Sequence, residues 1–279
     1  MNKFFSKTLK IIIVVIFIYI VFANINYIFA SSKNIPSKTK ITSVYITNNK
    51  ITVKWKKTKN IDGYIIYMSH SKNGKYKKIK TIKDTKTTKY TKKNINESKK
   101  YYFKIKTYIT KKRKKKYSKF SNIKTAGGLI VSKKLTALDS PVYRNINLQV
   151  ASKKINGIIL KPKQIFKWSE VVGQAKEEQG YTKAIVYING VNNFSLGGGI
   201  CQVSTTLYQC AKSSRMKILE RHKHGKDVSY IKNGDDATVS FGSKDFVFKN
   251  NKNYAIKIRA YAQGSSTVCQ FYNIGNKQK

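Results

Sequence analysis

Residues 197–208 have the sequence Gly-Gly-Gly-Ile-Cys-Gln-Val-Ser-Thr-Thr-Leu-Tyr, and this stretch decides the fold of the second half of the chain. Three consecutive glycines allow a tight turn and a close backbone approach that side chains would block. The positions that follow predict a helix, because apolar and small residues recur on one face. These residues are Val203, Leu207, Cys210, Ala211 and Ser214. At about 100° per residue, Cys201 lies about 160° from Val203, so a glycine loop presents a thiol at the exposed start of a helix.

The start of a helix favours a reactive cysteine. The helix N-terminus stabilises anions, so the thiolate of Cys201 is favoured and the thiol pKa falls. Backbone N–H groups of residues 199–202 are also placed to hold a developing oxyanion. The segment therefore predicts a nucleophile, and the alternative interpretation of Cys201 is a structural cysteine that is packed or disulfide-bonded.

The three cysteines restrict the disulfide alternative. A continuous helix separates Cys201 from Cys210 by about 13 Å and places them on opposite faces. A disulfide needs Cα atoms within about 7 Å, which excludes that pair. Cys269, in the strand-like segment 267–272, could bridge either one, and the odd number leaves at least one thiol free in a monomer.

Two histidines supply the candidate base. His222 and His224 are two residues apart, so on a strand they point to the same face. One is expected to deprotonate Cys201 while the other binds substrate or supports the first. Asp236, which opens a strand-like segment at 236–241, is the candidate to orient an imidazole, with Glu220 as the alternative.

A zinc site is the alternative chemistry for the same residues. The two histidines, Cys201 and a water match the ligand number of catalytic zinc. The sequence has no compact motif for a further ligand, so we expect no metal and no cofactor.

The segments around the glycine loop mix helices with strands. A helix with a glycine C-cap is predicted over 145–156, and strands over 158–160 and 165–168. Residues 145–279 are therefore predicted to form an α+β domain. A linker is expected at 127–144, where it begins with Gly127-Gly128.

The region at 41–126 shows the alternation of β-strands. Short apolar-polar alternating segments recur at the spacing of a β-sandwich, with Trp55 on an early strand and Tyr101 opening a late one. Ile-Thr-Val-Lys-Trp, Asp-Gly-Tyr-Ile-Ile-Tyr and Tyr-Tyr-Phe-Lys-Ile-Lys-Thr-Tyr follow in order, and this region resembles a fibronectin type III domain. The resemblance implies a spacer or adhesion module. A run of six basic residues at 111–116 is predicted to be a hairpin tip or loop.

The N-terminus predicts export. Lysines at positions 3, 7 and 10 precede an apolar run at 11–23, and small residues follow at 30–32, as in a secretory signal. The run is short for a membrane span of about 20 apolar residues, but with 27–29 included it would serve as an uncleaved anchor. We expect residues 1–30 to be a signal peptide or single membrane anchor and 31–40 to be a linker. The protein is then extracytoplasmic, either in the cell wall or anchored to the membrane.

The formal net charge is +45, mostly from lysine spread along the whole chain. An AT-rich genome produces this bias beside abundant Asn and Ile, with attraction to polyanions as a consequence. Anionic cell-wall polymers are therefore candidate partners. No nucleic-acid-binding module accompanies the charge, so no nucleic-acid partner is expected.

The second half resembles the VanW family, named from vancomycin B-type resistance clusters. The matching stretches occur in order at 151–157, 171–173, 197–208, 220–224, 228–230 and 234–239. The resemblance implies a VanW domain and, because some members are understood as L,D-transpeptidases that cross-link peptidoglycan, a nucleophile at Cys201. Residues 225–227 and Asp235 depart from the family pattern, but no motif residue is lost.

Together these observations predict a multidomain chain: a signal or anchor helix, an all-β fibronectin type III-like sandwich and an α+β VanW domain. The expected substrates are peptidoglycan stem peptides, in L,D-transpeptidation or, with water as acceptor, in carboxypeptidase hydrolysis. The alternatives are a non-catalytic envelope or glycopeptide-resistance accessory protein and a zinc-dependent peptidase. The expected catalytic residues are Cys201, His222, His224 and Asp236. The expected substrate contacts are Gly197, Gly198, Gly199, Gln202, Ser204, Thr205, Arg221 and Tyr230.

Overall fold

The computed structural model describes residues 15–22, 35–138, 140–188 and 191–277. Residues 15–22 form an exposed helix, α1. The rest of the predicted signal or anchor at 1–30 lies outside the described residues, as does the start of the predicted linker at 31–40. Within the described ranges, no helix has the length and apolar character needed to cross a bilayer.

The N-terminal region is all-β, as its alternation predicts. Its strands are β1 Ile41–Thr47, β2 Lys50–Trp55, β3 Gly63–Ser69, β4 Lys77–Ile82, β5 Lys89–Lys92, β6 Tyr101–Lys111, β7 Lys114–Tyr117 and β8 Lys124–Ala126. One sheet has the order β4-β3-β6-β7, with β8 also paired to β6. The facing sheet contains β1, β2 and β5.

Isoleucine, valine and aromatic residues fill the space between these sheets. The rings of Trp55 and Tyr64 lie 5.3 Å apart, and Phe103 is fully buried. The hydroxyl of Tyr101 accepts a hydrogen bond from the backbone N–H of Asn96 at 2.9 Å, which is the interaction of a tyrosine corner. The core therefore has the tryptophan and tyrosine that the sequence pattern predicts.

The basic run at 111–116 is a hairpin tip. Lys111 ends β6 and Lys114 begins β7, with Lys112 and Arg113 between them at φ 45° and 62°. Positive φ at both central residues matches the two-residue turn that fits the twist of a hairpin. The prediction of a hairpin tip or loop is therefore confirmed.

The C-terminal region is a mixed α/β domain. Its elements are β9 Leu129–Thr136, α2 Val142–Ile155, β10 Ile159–Leu160, β11 Ile165–Lys167, α3 Trp168–Val171, a short 3-10 helix Glu177–Gln179, β12 Lys183–Ile188, β13 Val191–Leu196, α4 Ile200–Ser213, β14 Lys217–Glu220, β15 Val247–Lys249, β16 Ala255–Gln263 and β17 Ser266–Gly275. Helices α2 and α4 pack against strands β9, β16 and β17. The apolar face predicted for α4 is buried at Val203, Leu207, Cys210 and Ala211.

Helix α2 begins three residues before its predicted start. Pro141 precedes it with φ −61°, a value already compatible with a helix, and so favours an earlier start. Gly157 follows the helix at φ 85°, as the predicted glycine C-cap requires.

The two regions share one seven-stranded sheet with the order β10-β16-β17-β1-β2-β5, in which β9 also pairs with β17. Strand β17 meets β1 at Tyr45 and Gly275, and the Gly127 N–H donates to the Asn273 carbonyl at 2.8 Å. A Cβ on Gly275 would lie 2.0 Å from the Val44 carbonyl oxygen, so only glycine permits this approach.

The prediction of a linker at 127–144 is wrong. The segment contains β9, whose residues pair with β17 from Leu129 to Thr136, and the first turn of α2. Backbone hydrogen bonding to β17 orders these residues as part of the sheet.

Candidate active site

The glycine loop joins β13 to α4. A Cβ on Gly198 would lie 2.7 Å from backbone atoms of Ala184, so the loop passes directly against β12. Gly199 caps α4 at φ 101°, a left-handed conformation that glycine adopts without strain. The fully buried Asn147 side chain on α2 donates to the Gly198 carbonyl at 2.9 Å. The loop is therefore fixed from two sides.

Cys201 lies in the first turn of α4, as predicted. It is half-buried and free, and its Sγ lies 3.4 Å from Thr238 Oγ1 and 3.5 Å from the Val239 carbonyl oxygen. Thr238 was not identified from the sequence as a site residue. The thiol faces a cleft of about 850 Å³, which both Cys201 and Thr238 line.

His224 links the thiol to a buried carboxylate. Its Nδ1 lies 2.6 Å from Asp236 Oδ2, and its side chain also hydrogen-bonds to Cys201. The His224 backbone N–H donates to the same carboxylate oxygen at 2.7 Å. Asp236 is 3% exposed, so its charge acts on the imidazole with little screening by water. Cys201, His224 and Asp236 thus form a nucleophile, a base and an orienting group in series.

The electrostatics of this series favour a charged pair. Burial by itself raises the pKa of the Cys201 thiol, but the hydrogen bond and charge of His224 bring it below its ordinary value. Burial likewise lowers the pKa of His224, while Cys201 and Asp236 together raise it above its ordinary value. Thiolate and imidazolium therefore stabilise each other.

His222 does not join this series. Its Nε2 lies 2.9 Å from Glu220 Oε1 at the surface, and its backbone forms an isolated bridge with Thr238. The prediction that both histidines share one strand face is wrong, because 221–224 is not a strand and His224 alone turns toward Cys201. The segment at 236–241 is likewise not a continuous strand but carries isolated bridges.

The same geometry bears on the zinc alternative. A zinc site would need both histidines and Cys201 around one point, whereas His222 pairs with Glu220 instead. In the part of the chain that the structure describes, no group of three or more His, Cys, Asp or Glu side chains is arranged to hold a metal ion.

Arg221 supports Asp236 rather than lining the cleft. Its Nε donates to the Asp236 carbonyl at 2.6 Å, its Nη2 donates to the Gly234 carbonyl, and its guanidinium stacks over the ring of Tyr208 at 5.0 Å. A weaker contact at 3.4 Å joins Nη2 to Asp236 Oδ1. The structure therefore makes Arg221 a positioning residue, in place of the substrate contact that the sequence predicted.

Three further predicted substrate contacts are buried. Gln202 is fully buried and donates to the carbonyls of Leu135 and Ser265. Ser204 and Thr205 are also fully buried, and both hydroxyls hydrogen-bond to Ala237. The predictions for Gln202, Ser204 and Thr205 are wrong, because these side chains of α4 point into the protein interior and not into the cleft. The hydrogen bonds of Ser204 and Thr205 hold Ala237, next to Asp236, against α4, whereas those of Gln202 hold the end of β9 and the turn before β17.

The turn at the start of α4 leaves two candidate donors for an oxyanion. The Ile200 N–H donates to the Gly197 carbonyl at 3.1 Å, and the Gln202 N–H donates to the Gly199 carbonyl at 2.9 Å. The N–H groups of Gly199 and Cys201, for which no backbone partner is found among the described residues, are thus the candidates within the predicted 199–202 segment, and that of Cys201 belongs to the nucleophile itself.

Several residues complete the cleft wall. Gly197, Gly199 and Tyr230, which the sequence predicts to contact substrate, line the cleft, whereas Gly198 packs against Ala184 of β12. Arg144 on α2 also lines it and was not identified from the sequence. No local motif marks Arg144, because only the packing of α2 beside α4 brings it to Cys201.

The remaining cysteines are free and buried. Cys210 Sγ donates to the Cys269 carbonyl at 3.0 Å, and burial raises the pKa of the Cys269 thiol well above its ordinary value. Neither is disulfide-bonded to Cys201, so the disulfide alternative does not apply.

The fold and the site together define a two-part protein whose N-terminal sandwich precedes a domain with a cysteine at the start of a glycine-capped helix. Residues 35–123 match the model of the fibronectin type III domain, and residues 143–272 match the model described as VanW like protein. The chain therefore carries a VanW-like domain preceded by a fibronectin type III domain.

Two curated relatives match this chain over its VanW-like part. The uncharacterized protein YoaR of Bacillus subtilis (strain 168) is 36% identical over 130 residues, which cover 47% of this chain and 43% of YoaR. The vancomycin B-type resistance protein VanW of Enterococcus faecalis is 29% identical over 117 residues, covering 40% of this chain and 42% of VanW. The matches thus span less than half the length of either relative.

Among solved structures, an Fn3-like protein from Clostridium thermocellum is 21% identical. The match covers 32% of this chain and 90% of that chain, with a TM-score of 0.26.

Proposed function

We propose that this chain is an exported cysteine acyltransferase that acts on peptidoglycan stem peptides as an L,D-transpeptidase. The observation that carries the proposal is the series Cys201, His224 and Asp236 at the edge of an open cleft. A lowered thiol pKa beside a carboxylate-oriented imidazole is the arrangement that nucleophilic cysteine catalysis needs. The basic and apolar N-terminus supports export across the membrane, and peptidoglycan stem peptides occur on that outer side.

In the first step, the Cys201 thiolate attacks the carbonyl carbon of the amide that follows the L-centre of a donor stem. The carbon–sulfur bond forms, and negative charge develops on the carbonyl oxygen beside the Cys201 N–H. The carbon–nitrogen bond then breaks, and the His224 imidazolium gives its proton to the departing amine. The products are a thioester on Cys201 and a free terminal amino acid.

In the second step, a side-chain amine of a neighbouring stem attacks the thioester. His224 accepts the proton from that amine, the new carbon–nitrogen bond forms, and the Cys201 thiolate leaves. Asp236 holds the Nδ1 side of the ring throughout, so that the other ring nitrogen remains directed at the reacting atoms. Water in place of the amine would give hydrolysis by the same residues.

The name of one relative supports a resistance-related setting for this chemistry, because that relative is called a vancomycin B-type resistance protein. We extend that setting to this chain as part of the proposal.

The test is a search for the covalent intermediate. The full chain is incubated with a stem tetrapeptide, and intact-protein mass spectrometry is expected to show a gain equal to the mass of the tetrapeptide minus the mass of the free amino acid that is released. Peptide mapping is expected to place the adduct on Cys201, and Cys201→Ala is expected to lose both the adduct and cross-linked product while remaining folded. A wild-type protein that forms neither adduct nor product would contradict the proposal and support the accessory alternative.

A further inference from the structure

An arginine from α2 crosses the start of α4 next to the nucleophile. A Cβ on Gly199 would lie 2.9 Å from Arg144 Cγ, 3.0 Å from Nε and 3.3 Å from Cζ. The guanidinium is therefore packed against the residue that caps α4, two positions before Cys201. Arg144 also lines the same cleft as Cys201. Gly199 is thus needed partly because any side chain there would displace this arginine.

The positive charge of Arg144 is only partly compensated by the protein. Its Nη1 donates to Ser140 Oγ at 3.0 Å, and its charge interacts with Cys201 and with the phenol of Tyr230. Among the described residues no carboxylate forms an ion pair with Arg144, whereas Arg221 lies against Asp236. Burial lowers the pKa of the half-buried Arg144, which indicates that the cation has lost part of its hydration.

Tyr230 lines the same cleft, and its phenol hydroxyl shares a hydrogen bond with the Thr205 side chain. Burial raises the pKa of its phenol, so the hydroxyl stays protonated at neutral pH. The guanidinium of Arg144 can donate two parallel N–H hydrogen bonds. Next to an uncharged phenol, this arrangement suits the binding of a carboxylate.

We propose that Arg144 is a specificity-determining residue that binds the free carboxylate of the amino acid expelled from the donor peptide. This inference rests on the proposed function, because it assigns a ligand group within that reaction. The carboxylate carbon of a terminal residue is three covalent bonds from the scissile carbonyl carbon, a separation of less than about 4 Å. A guanidinium next to the nucleophile is therefore where such a carboxylate falls. The substrate class is a peptide with one residue, carrying a free carboxylate, beyond the scissile amide.

The test compares two donor tetrapeptides that differ only in a terminal carboxylate or carboxamide. For the wild-type full chain, kcat/KM is expected to be roughly 10- to 100-fold higher for the carboxylate, the effect of a hydrogen bond between charged groups. Arg144→Gln is expected to lose this preference, because its reaction with the carboxylate slows much more than its reaction with the carboxamide. Arg144→Lys, which keeps the charge but not the two parallel donors, is expected to fall between them. Arg259→Gln, at an exposed position on β16, serves as the matched control and is expected to keep the preference.

The ratio of the two rates separates binding of the carboxylate from other effects. A change in the thiolate of Cys201 or in folding alters both rates equally and cancels in the ratio. An Arg144→Gln protein that keeps the wild-type preference, or a wild-type protein that reacts equally with both peptides, would overturn the role of Arg144 and leave the proposed function intact. A wild-type protein that reacts with neither would overturn the proposed function and this inference with it. If Arg144→Gln does not fold, the wild-type preference and Arg144→Lys decide the outcome.

Discussion

Replacing His224 by Gln is expected to slow alkylation of Cys201 at neutral pH. In the wild-type protein, the hydrogen bond and charge of His224 hold the thiol pKa below its ordinary value against the opposing effect of burial. Glutamine keeps a polar side chain but carries no charge, so burial then dominates and the thiol pKa rises. A hydrogen bond to a charged group contributes about 1.5–3 kcal/mol, which lowers the thiolate population at pH 7 roughly 10- to 100-fold.

The pH dependence has a definite sign. Alkylation consumes the thiolate, so its rate rises as pH increases through the thiol pKa. The wild-type midpoint for Cys201 is expected below that of an unperturbed thiol, because His224 lowers the thiol pKa. The midpoint of the His224→Gln protein is expected to move to higher pH.

The assay is iodoacetamide labelling over a pH series, with peptide-resolved mass spectrometry of each cysteine. Cys210 and Cys269 are buried and serve as internal references. His222→Gln is the matched control, because His222 pairs with Glu220 at the surface and is expected to leave the midpoint unchanged. An unchanged midpoint in His224→Gln, or an equal change in His222→Gln, would refute the assignment of His224 as the partner of the thiol.

Two further predictions use neighbouring or equivalent residues as controls. Asp236→Asn is expected to slow the same labelling by about 10-fold or more. Asp235→Asn, at a partly exposed position whose carboxylate pairs with Lys212, is expected to have no effect, and equal effects of the two substitutions would count against the series. Gly199→Ala is expected to lower the thermal midpoint by several degrees, since a left-handed φ of 101° costs an alanine about 1–2 kcal/mol. Gly225→Ala, with nothing within 4 Å of its Cβ position, is expected to leave it nearly unchanged, and similar midpoints for both would argue against strain at the loop.

Stretches with local periodicity could be predicted from the sequence. Helix α4 and the position of Cys201 follow from three glycines and the spacing of Val203 and Leu207, whose burial the structure confirms. The sandwich follows from strict alternation around Trp55 in the same way. In both cases, neighbouring residues in the chain carry the signal.

Features that depend on packing between distant segments could not be predicted. The choice of His224 over His222 depends on the irregular path of 221–224, which Asp236 and Arg221 hold by hydrogen bonds to backbone. Arg144 reaches the cleft only because α2 lies against α4, and no motif on α2 marks it.

Strand β9 was missed because its pattern is weak. Its residues alternate between exposed and partly exposed positions, so the strand has no fully buried face. Its pairing with β17 is determined by backbone hydrogen bonds, which leave no signature in side-chain type.

The backbone hydrogen bonds between β1 and β17 set a limit on how this protein can be dissected or recombined. Cutting the C-terminal half free would leave the end of β17 around Gly275 without its β1 partner, although β9 would still pair with β17 from Ser266 to Tyr272. A different domain could therefore not simply replace the sandwich, because it would need an edge strand that pairs with β17 in the register of Tyr45 and Gly275. The placement of the sandwich relative to the cleft is therefore set by backbone pairing between β1 and β17.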